Sequence, residues 1–317
     1  MGSARWECGL TEERSGSAAA FEDAARVLES SGDYRVLRRL VPRDEFGVKA
    51  AGPLQKAIVL DTETTGTDPE ADHIIELGMV CFEFVPATGE IVWITDVYDS
   101  LEDPGRPIPP ESTQIHGITD EMVAGHRIDD EAVAEMLEGV TWVVAHNAAF
   151  DRQFLERRLP VFESQRWLCS YAEIPWAREG FAGAKLDYLA GQQGFFYEGH
   201  RSEIDCRALL EVLRLPLPKS GDIAWRRLLE SGPQLSYRLS ALDAPFESKD
   251  ALKNRGYRWD AKRRCWHKTM TRDEAAAEAP WLKEHVYGGR SREVEVEIHD
   301  ALTRYSSRPG RRVLRAL

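Results

Sequence analysis

The stretch AIVLDTETTG (Ala57–Gly66) places four apolar residues directly before a polar turn. A continuous apolar run of this length predicts a central strand that is buried on both faces. Because side chains alternate between the faces of a strand, Asp61 and Glu63 are expected on one face at its end. The stretch therefore predicts a pair of carboxylates at the edge of a buried sheet.

The segments that follow this strand indicate an α/β order. Two β-rich runs come first, then a capped helix, a short apolar strand and two further helices. In chain order these segments are His73–Val85, Glu90–Leu101, Asp129–Glu138, Trp142–Ala145, Ala148–Leu159 and Ser202–Leu215. The order predicts a mixed β-sheet flanked by helices.

Further acidic residues fall where helices begin. Asp151 lies in the first turn of one predicted helix and Asp205 in the first turn of another, with His200 in the loop before it. Four carboxylates in one cleft repel each other unless cations neutralise them, and oxygen ligands favour Mg²⁺ or Mn²⁺. Two such ions suit phosphodiester hydrolysis, for which a nearby histidine can accept the proton of the attacking water.

The motifs that carry these residues resemble those of the DnaQ-like (DEDDh) 3′–5′ exonucleases. The matching segments are IVLDTETTGTD (Ile58–Asp68), IHGIT (Ile115–Thr119), HNAAFD (His146–Asp151) and HRSEID (His200–Asp205). The resemblance covers about residues 55–215 and implies an RNase H-like fold. It also implies His200 as general base and release of 5′-mononucleotides from a 3′ end. The implied metal ligands are Asp61, Glu63, Asp151 and Asp205.

The same resemblance indicates contacts to the substrate. In this family the turn Thr64-Thr65-Gly66 faces the terminal nucleotide, so these three residues are expected to bind it. His116 is a candidate for holding the terminal nucleotide, and Asn147 for contacting the substrate. For His116 and Asn147, a loop histidine and a strand-end cap are equally good interpretations.

Charge is distributed unevenly along the 317 residues. The formal net charge of −12 argues against a phosphate-binding surface when it is taken alone. Residues 55–215 hold 12 basic and 30 acidic side chains, whereas residues 237–272 hold 10 basic and 4 acidic ones. We therefore expect a helical N-terminal extension (1–54), an exonuclease domain (55–215), a linker (216–236) and a basic C-terminal module with its tail (237–317).

The C-terminal module reads as a short helix followed by a β-hairpin, and it resembles the C-terminal module of exodeoxyribonuclease X-like proteins. Its tryptophans are expected in a small core. Basic residues interleaved with aromatic ones suit single-stranded nucleic acid, although they could also merely solvate the module. The candidate nucleic-acid contacts are Lys253, Arg255, Arg258, Lys262, Arg263 and Arg264.

The sequence thus predicts a metal-dependent 3′–5′ exonuclease in the cytoplasm that acts on DNA 3′ ends, with single-stranded DNA as the expected partner. A 3′–5′ exoribonuclease shares every catalytic motif and stays open. A proofreading or adaptor subunit is a further alternative, with residues 1–54 as the surface for a polymerase or repair partner. Apolar runs are too short for a membrane helix, and the first residues lack the apolar region of a secretory signal.

Overall fold

The computed structural model describes residues 14–50 and 52–317, with side chains from residue 18 onward. The strands are β1 Arg38–Arg39, β2 Gln55–Thr64, β3 Ile74–Phe84, β4 Ile91–Leu101, β5 Val140–Ala145, β6 Trp167–Cys169, β7 Phe195–Phe196, β8 Ser236–Ala241, β9 Arg258–Asp260, β10 Cys265–Met270, β11 Glu293–His299 and β12 Arg311–Ala316. The helices are α1 Arg14–Ser30, α2 Pro110–His116, α3 Asp120–Val123, α4 Asp130–Met136, α5 Ala148–Arg158, α6 Ser170–Glu173, α7 Trp176–Glu179, α8 Leu186–Gln192, α9 Ser202–Arg214, α10 Ala224–Ser231, α11 Lys249–Asn254 and α12 Arg272–His285. None of these helices is long and apolar enough to cross a bilayer.

A five-stranded mixed sheet organises the catalytic half of the chain, in the order β4-β3-β2-β5-β6. β3 runs antiparallel to β2 and β4, whereas β2, β5 and β6 are parallel. The central position of β2 explains its continuous apolar run, because both of its faces are covered. This arrangement confirms the expected mixed, RNase H-like sheet.

Each face of this sheet has its own core. Alternate residues of β2, such as Val59, pack with α9 and α10 on one face. Its other apolar residues, such as Ile58, pack with α4 and α5 on the opposite face. A group at the end of β2 can therefore meet residues from both helical layers.

The N-terminal extension is only partly helical, and residues 1–13 and 51 of it lie outside the described residues. The helix predicted at its start is present as α1. The extension was expected to be helical, but its segment Tyr34–Leu40 is extended and pairs through β1 with β7 in parallel. Its backbone N–H groups bond to Gly194 and Phe196, so tertiary pairing overrides the helical spacing.

The predicted linker, residues 216–236, contains a packed helix. This helix is α10, whose Trp225 is fully buried against the rings of Phe82 and Phe84 in the exonuclease core. Burial of one large indole, worth about 2–3 kcal/mol, ties the segment to the catalytic half.

The C-terminal part forms a second, antiparallel sheet in the order β12-β11-β8-β10-β9, packed against α12. The hairpin β9–β10 confirms the predicted one, with Trp259 opposite Trp266. Trp266 packs on the module's core as expected, whereas Trp259 is exposed. Residues 300–308, named here the docking segment, leave this module and pack against α5 and β6, where Ala301 joins the exonuclease core.

Candidate active site

Three carboxylates converge at the end of β2. Asp61 and Glu63 lie two residues apart on this strand and face the layer that contains α9, as their alternation predicts. Asp205 meets them from the first turn of α9. One carboxylate oxygen from each of the three residues lies within 4.8 Å of the other two. The cluster therefore has the geometry of a site for a cation.

Asp205 is oriented by two donors. The Tyr197 hydroxyl donates to its Oδ1 at 3.1 Å, and the Arg201 backbone N–H donates to its Oδ2 at 3.1 Å. The resulting carboxylate is fixed in direction before any ligand binds. Burial and the charge of Asp205 raise the pKa of Tyr197, so this hydroxyl remains a donor.

Asp151 reaches the site from the opposite helical layer. It is buried near the start of α5, and its Oδ1 accepts hydrogen bonds from the Thr62 N–H at 3.1 Å and the Thr62 Oγ1 at 2.9 Å. Because Thr62 lies between Asp61 and Glu63, it alone of the three points toward α5. No oxygen of Asp151 belongs to the group of three, but its negative charge contributes to the raised pKa of Asp61.

The electrostatics of these four residues fit a divalent cation. Burial, followed by the charges of the other carboxylates, raises the pKa of Asp61 well above its usual range and that of Glu63 to about 8. Burial likewise raises the pKa of Asp151 to about 7 and increases that of Asp205. Within the described part of the chain, no lysine or arginine forms a salt bridge with any of the four. A set of oxygen donors with uncompensated charge suits a hard ion such as Mg²⁺ or Mn²⁺.

His200 lies at the mouth of the cluster. Its side chain is 62% exposed, and its Nδ1 is 4.0 Å from the Glu63 Oε1. Its backbone adopts φ 66°, a left-handed conformation that is costly for a residue with a side chain. The following residues hold this loop: Arg201 pairs with buried Glu76 at 2.7 Å, and the Ser202 N–H donates to the same carboxylate at 2.9 Å.

The turn after β2 is closed by its own side chains. The Thr64 hydroxyl donates to the Gly66 carbonyl at 2.6 Å, and the Thr65 hydroxyl donates to Asp72 at 3.2 Å. A Cβ on Gly66 would overlap the Asp72 carboxylate. Both threonine side chains are buried, so the surface that this turn offers to a substrate is mainly its backbone.

His116 and Asn147 lie in different surroundings. The Nδ1 of buried His116 accepts a hydrogen bond from the Ile118 N–H at 3.0 Å, whereas its Nε2 is buried without a hydrogen-bond partner among residues 14–50 and 52–317. Burial lowers the pKa of His116, which keeps the ring neutral and Nε2 protonated as a donor. Asn147 is exposed at φ 80° before α5, and its side chain makes no cap hydrogen bond. Both side chains therefore keep a free polar group.

The six candidate cations of the C-terminal module fall into two groups. Three are held by carboxylates of the protein, and these pairs are Arg255–Glu278, Lys262–Glu70 and Arg263–Glu295. The other three, Lys253, Arg258 and Arg264, are exposed and form no salt bridge with any described residue. Only the second group is available to an external phosphate without breaking an ion pair.

Three residues near the site were not identified from the sequence. Glu76 pairs with Arg201 and so holds the His200 loop, and Tyr197 orients the Asp205 carboxylate. Arg106 donates to Asp72 beside the turn at 3.1 Å. Glu76 had a detectable signal, because it is one of only two carboxylates within the otherwise apolar strand β3. Tyr197 and Arg106 lie in loops whose patterns point to no site.

Comparison with known proteins places this geometry in a family. The family model described as Exonuclease (RNase_T) matches residues 58–213. DNA polymerase III subunit epsilon of Treponema pallidum is 35% identical over 164 residues, which cover 48% of this chain and 72% of the relative. The chain belongs to the DnaQ-like exonuclease family. This confirms the family indicated by the motifs.

A further relative and a solved structure also match the chain. A PolC-type DNA polymerase III of Thermotoga petrophila is 38% identical over 123 residues, which cover 38% of this chain and 8% of the polymerase. The chain thus spans less than a tenth of that relative's length. Among solved structures, an exonuclease X in complex with 5′ overhanging duplex DNA is 28% identical, with a TM-score of 0.38, covering 54% of this chain and 97% of the other.

Proposed function

We propose that this chain is a metal-dependent 3′–5′ exonuclease that hydrolyses the terminal phosphodiester bond of DNA and releases 5′-mononucleotides. The observation that carries the proposal is the convergence of Asp61, Glu63 and Asp205, whose carboxylate oxygens lie within 4.8 Å of one another. Asp151 and His200 flank this cluster from opposite sides. The proposal includes the cytoplasmic location expected from the sequence.

In this proposal Asp61, Glu63, Asp151 and Asp205 hold two divalent cations, Mg²⁺ or Mn²⁺. Two such ions supply positive charge to the attacking and leaving oxygens of a phosphoryl displacement. The protein's part is to hold the carboxylates charged and fixed in direction. The Tyr197 hydroxyl donates a hydrogen bond to Asp205, and the Thr62 N–H donates one to Asp151.

His200 is the proposed general base. Its Nδ1 is directed toward Glu63, so its Nε2 is the nitrogen left to accept the proton of the attacking water. General-base catalysis of this kind contributes roughly 10²–10⁴-fold to a rate. The exposed position of His200 allows the proton to pass on to solvent after each turnover.

The proposed contacts to the terminal nucleotide come from the turn Thr64–Gly66, His116 and Asn147. His116 offers its buried Nε2–H, which makes no hydrogen bond of normal geometry with the described residues, and Asn147 offers its exposed amide. The names of the relatives, subunits of DNA polymerases, favour DNA over RNA as the polymer. They also support a polymerase partner, for which α1 offers exposed Phe21 and Val27.

One assay tests this function. Oligonucleotides labelled at the 5′ end, namely single-stranded DNA, duplex DNA with a recessed 3′ end and RNA, are incubated with Mg²⁺, Mn²⁺ or EDTA. We expect stepwise shortening of DNA from the 3′ end, abolished by EDTA and by Asp205→Asn. Faster shortening of RNA would favour an exoribonuclease, and activity that survives EDTA would refute the metal-dependent mechanism.

The polymerase partner has its own test. The purified chain is mixed with replicative polymerase subunits and analysed by size-exclusion chromatography. We expect co-elution that is lost in the Phe21→Asp variant, and equal co-elution of the variant would remove α1 from the interface.

A further inference from the structure

A cleft of about 730 Å³ separates α5 from the C-terminal sheet. One wall is the accessible side of α5, and the opposite wall is formed by the strands β8, β9 and β10. The residues that face one another are Ala149 and Gln153 on α5 and Arg238, Arg258 and His267 on the strands. Arg304 and Tyr305 of the docking segment also line the cleft.

The cleft and the candidate active site lie on two sides of the same helix. Ala149 and Gln153 line the cleft, whereas Asp151 between them is buried and accepts hydrogen bonds from Thr62. The β9–β10 hairpin, which forms the other wall, reaches the loop after β2 through the ion pair of Lys262 with Glu70. A strand that leaves the carboxylate cluster has to pass around the start of α5 to reach the cleft.

The acidic groups in the walls are already satisfied. Glu173 accepts from the Tyr305 hydroxyl at 2.9 Å and from Arg304 at 3.2 Å. Glu274 belongs to the capping box of α12 and accepts from the Thr271 N–H at 2.8 Å. Both carboxylates therefore have hydrogen-bond donors within the protein, and neither favours a cationic ligand.

The nitrogen atoms in the walls are not all satisfied. Arg304 is 7% exposed, and its Nε has no hydrogen-bond partner among the described residues. Within the same residues, the Nδ1 of His267 and the Nε of Arg238 are also buried without partners, although another nitrogen of Arg238 pairs with Asp260 at 2.7 Å. Arg258 adds an exposed guanidinium that pairs with no carboxylate of the described residues. A buried donor without an acceptor costs about 1–3 kcal/mol, so the cleft favours a ligand that brings anionic oxygens.

We propose that the cleft binds the phosphates of an unpaired nucleic-acid strand, on the 5′ side of the nucleotide that is removed. The inference rests on the proposed 3′–5′ exonuclease activity, because that activity places a 3′ end at Asp61 and Glu63. Facing walls admit one strand, whose backbone meets the exposed guanidinium of Arg258 while the rings of His267 and Tyr305 offer stacking surfaces. The protein thereby acts on strands with an unpaired 3′ segment long enough to reach the cleft.

Binding tests the cleft separately from hydrolysis. The probe is a 5′-fluorescein-labelled oligothymidylate of about twenty nucleotides, titrated in EDTA at several salt concentrations and followed by anisotropy. One lost phosphate contact on a single strand lowers the salt slope by about 0.7. We expect Arg258→Glu to show this loss with an approximately tenfold rise in Kd, and Arg258→Lys to keep the slope.

The matched control is Arg290→Glu, which changes the same charge in the same module but lies outside the cleft. Equal losses of affinity in Arg258→Glu and Arg290→Glu would show that the general positive charge of the module, and not the cleft, attracts the strand. A fluorescent mononucleotide that binds as tightly as the oligonucleotide would also overturn a strand-binding cleft. If the wild type binds through Arg258 yet hydrolyses nothing with Mg²⁺ or Mn²⁺, the proposed function fails while the cleft stands.

Discussion

Replacement of Arg152 by methionine is expected to loosen the C-terminal module from the catalytic helix. Arg152 follows Asp151 on α5 and is fully buried. Its guanidinium donates to the carbonyls of Ala301 at 3.2 Å and Arg304 at 2.7 Å, and its Nε donates to Glu156 at 2.6 Å. The side chain therefore joins the helix to the docking segment.

The expected loss of folding stability follows from the buried groups that the substitution leaves without partners. Methionine keeps most of the apolar stem but leaves buried carbonyls without donors and removes one cation from buried Glu156. Breaking a buried ion pair in this way costs about 3–5 kcal/mol, a large share of the roughly 5–15 kcal/mol that stabilises a typical domain. Arg308 still pairs with Glu156 at 3.0 Å, which favours the lower end of the range.

Urea unfolding followed by circular dichroism measures the effect as a lower midpoint. Arg157→Met is the matched control, because Arg157 lies on the same helix but is exposed, and it should cost less than about 1 kcal/mol. Arg152→Lys should fall between the two variants, since lysine keeps the charge but loses the planar set of donors. If Arg152→Met costs no more than the control, the docking segment is not held as described.

Three further outcomes are expected. His200→Ala should slow hydrolysis roughly 10²–10⁴-fold while Mn²⁺ binding persists, and loss of Mn²⁺ binding would remove the general-base role. Glu76→Gln should reduce kcat about tenfold or more with little change in KM, because Arg201 then holds the His200 loop less firmly; an unchanged kcat would contradict this. Burial raises the pKa values of Glu63 to about 8 and Asp151 to about 7, so the stability these groups contribute below about pH 4 is lost as pH rises toward 8. The gain in Tm on replacing EDTA by Mg²⁺ should therefore grow from pH 5 to pH 8, and a gain independent of pH would refute this linkage.

The sequence predicted those parts of the site that depend on local geometry. The alternation of β2 places Asp61 and Glu63 on one face, and Asp205 lies in the first turn of α9 as expected. Strand and helix periodicity involve only neighbouring residues, so they can be read without the rest of the chain. The expectation that the carboxylates come together rested on their positions at a strand end and at helix starts of an α/β sheet, and the family motifs added to it.

The parts that could not be predicted depend on partners far away in the chain. Nothing near Arg152 shows that residues 301–304 will supply its acceptors, and Trp225 has no local sign that it enters the exonuclease core. Likewise, a count of basic residues cannot distinguish Arg255, paired with Glu278, from Arg258. Tertiary packing decides which charges are free.

The most direct test of the account is a titration of the metal-free protein with Mn²⁺, followed by electron paramagnetic resonance. Two ions per chain are expected for the wild type, with fewer for Asp61→Asn because that substitution removes a charged ligand from the cluster. Failure of the wild type to bind Mn²⁺, or equal binding by wild type and Asp61→Asn, would contradict the proposed metal centre and the hydrolytic mechanism that depends on it.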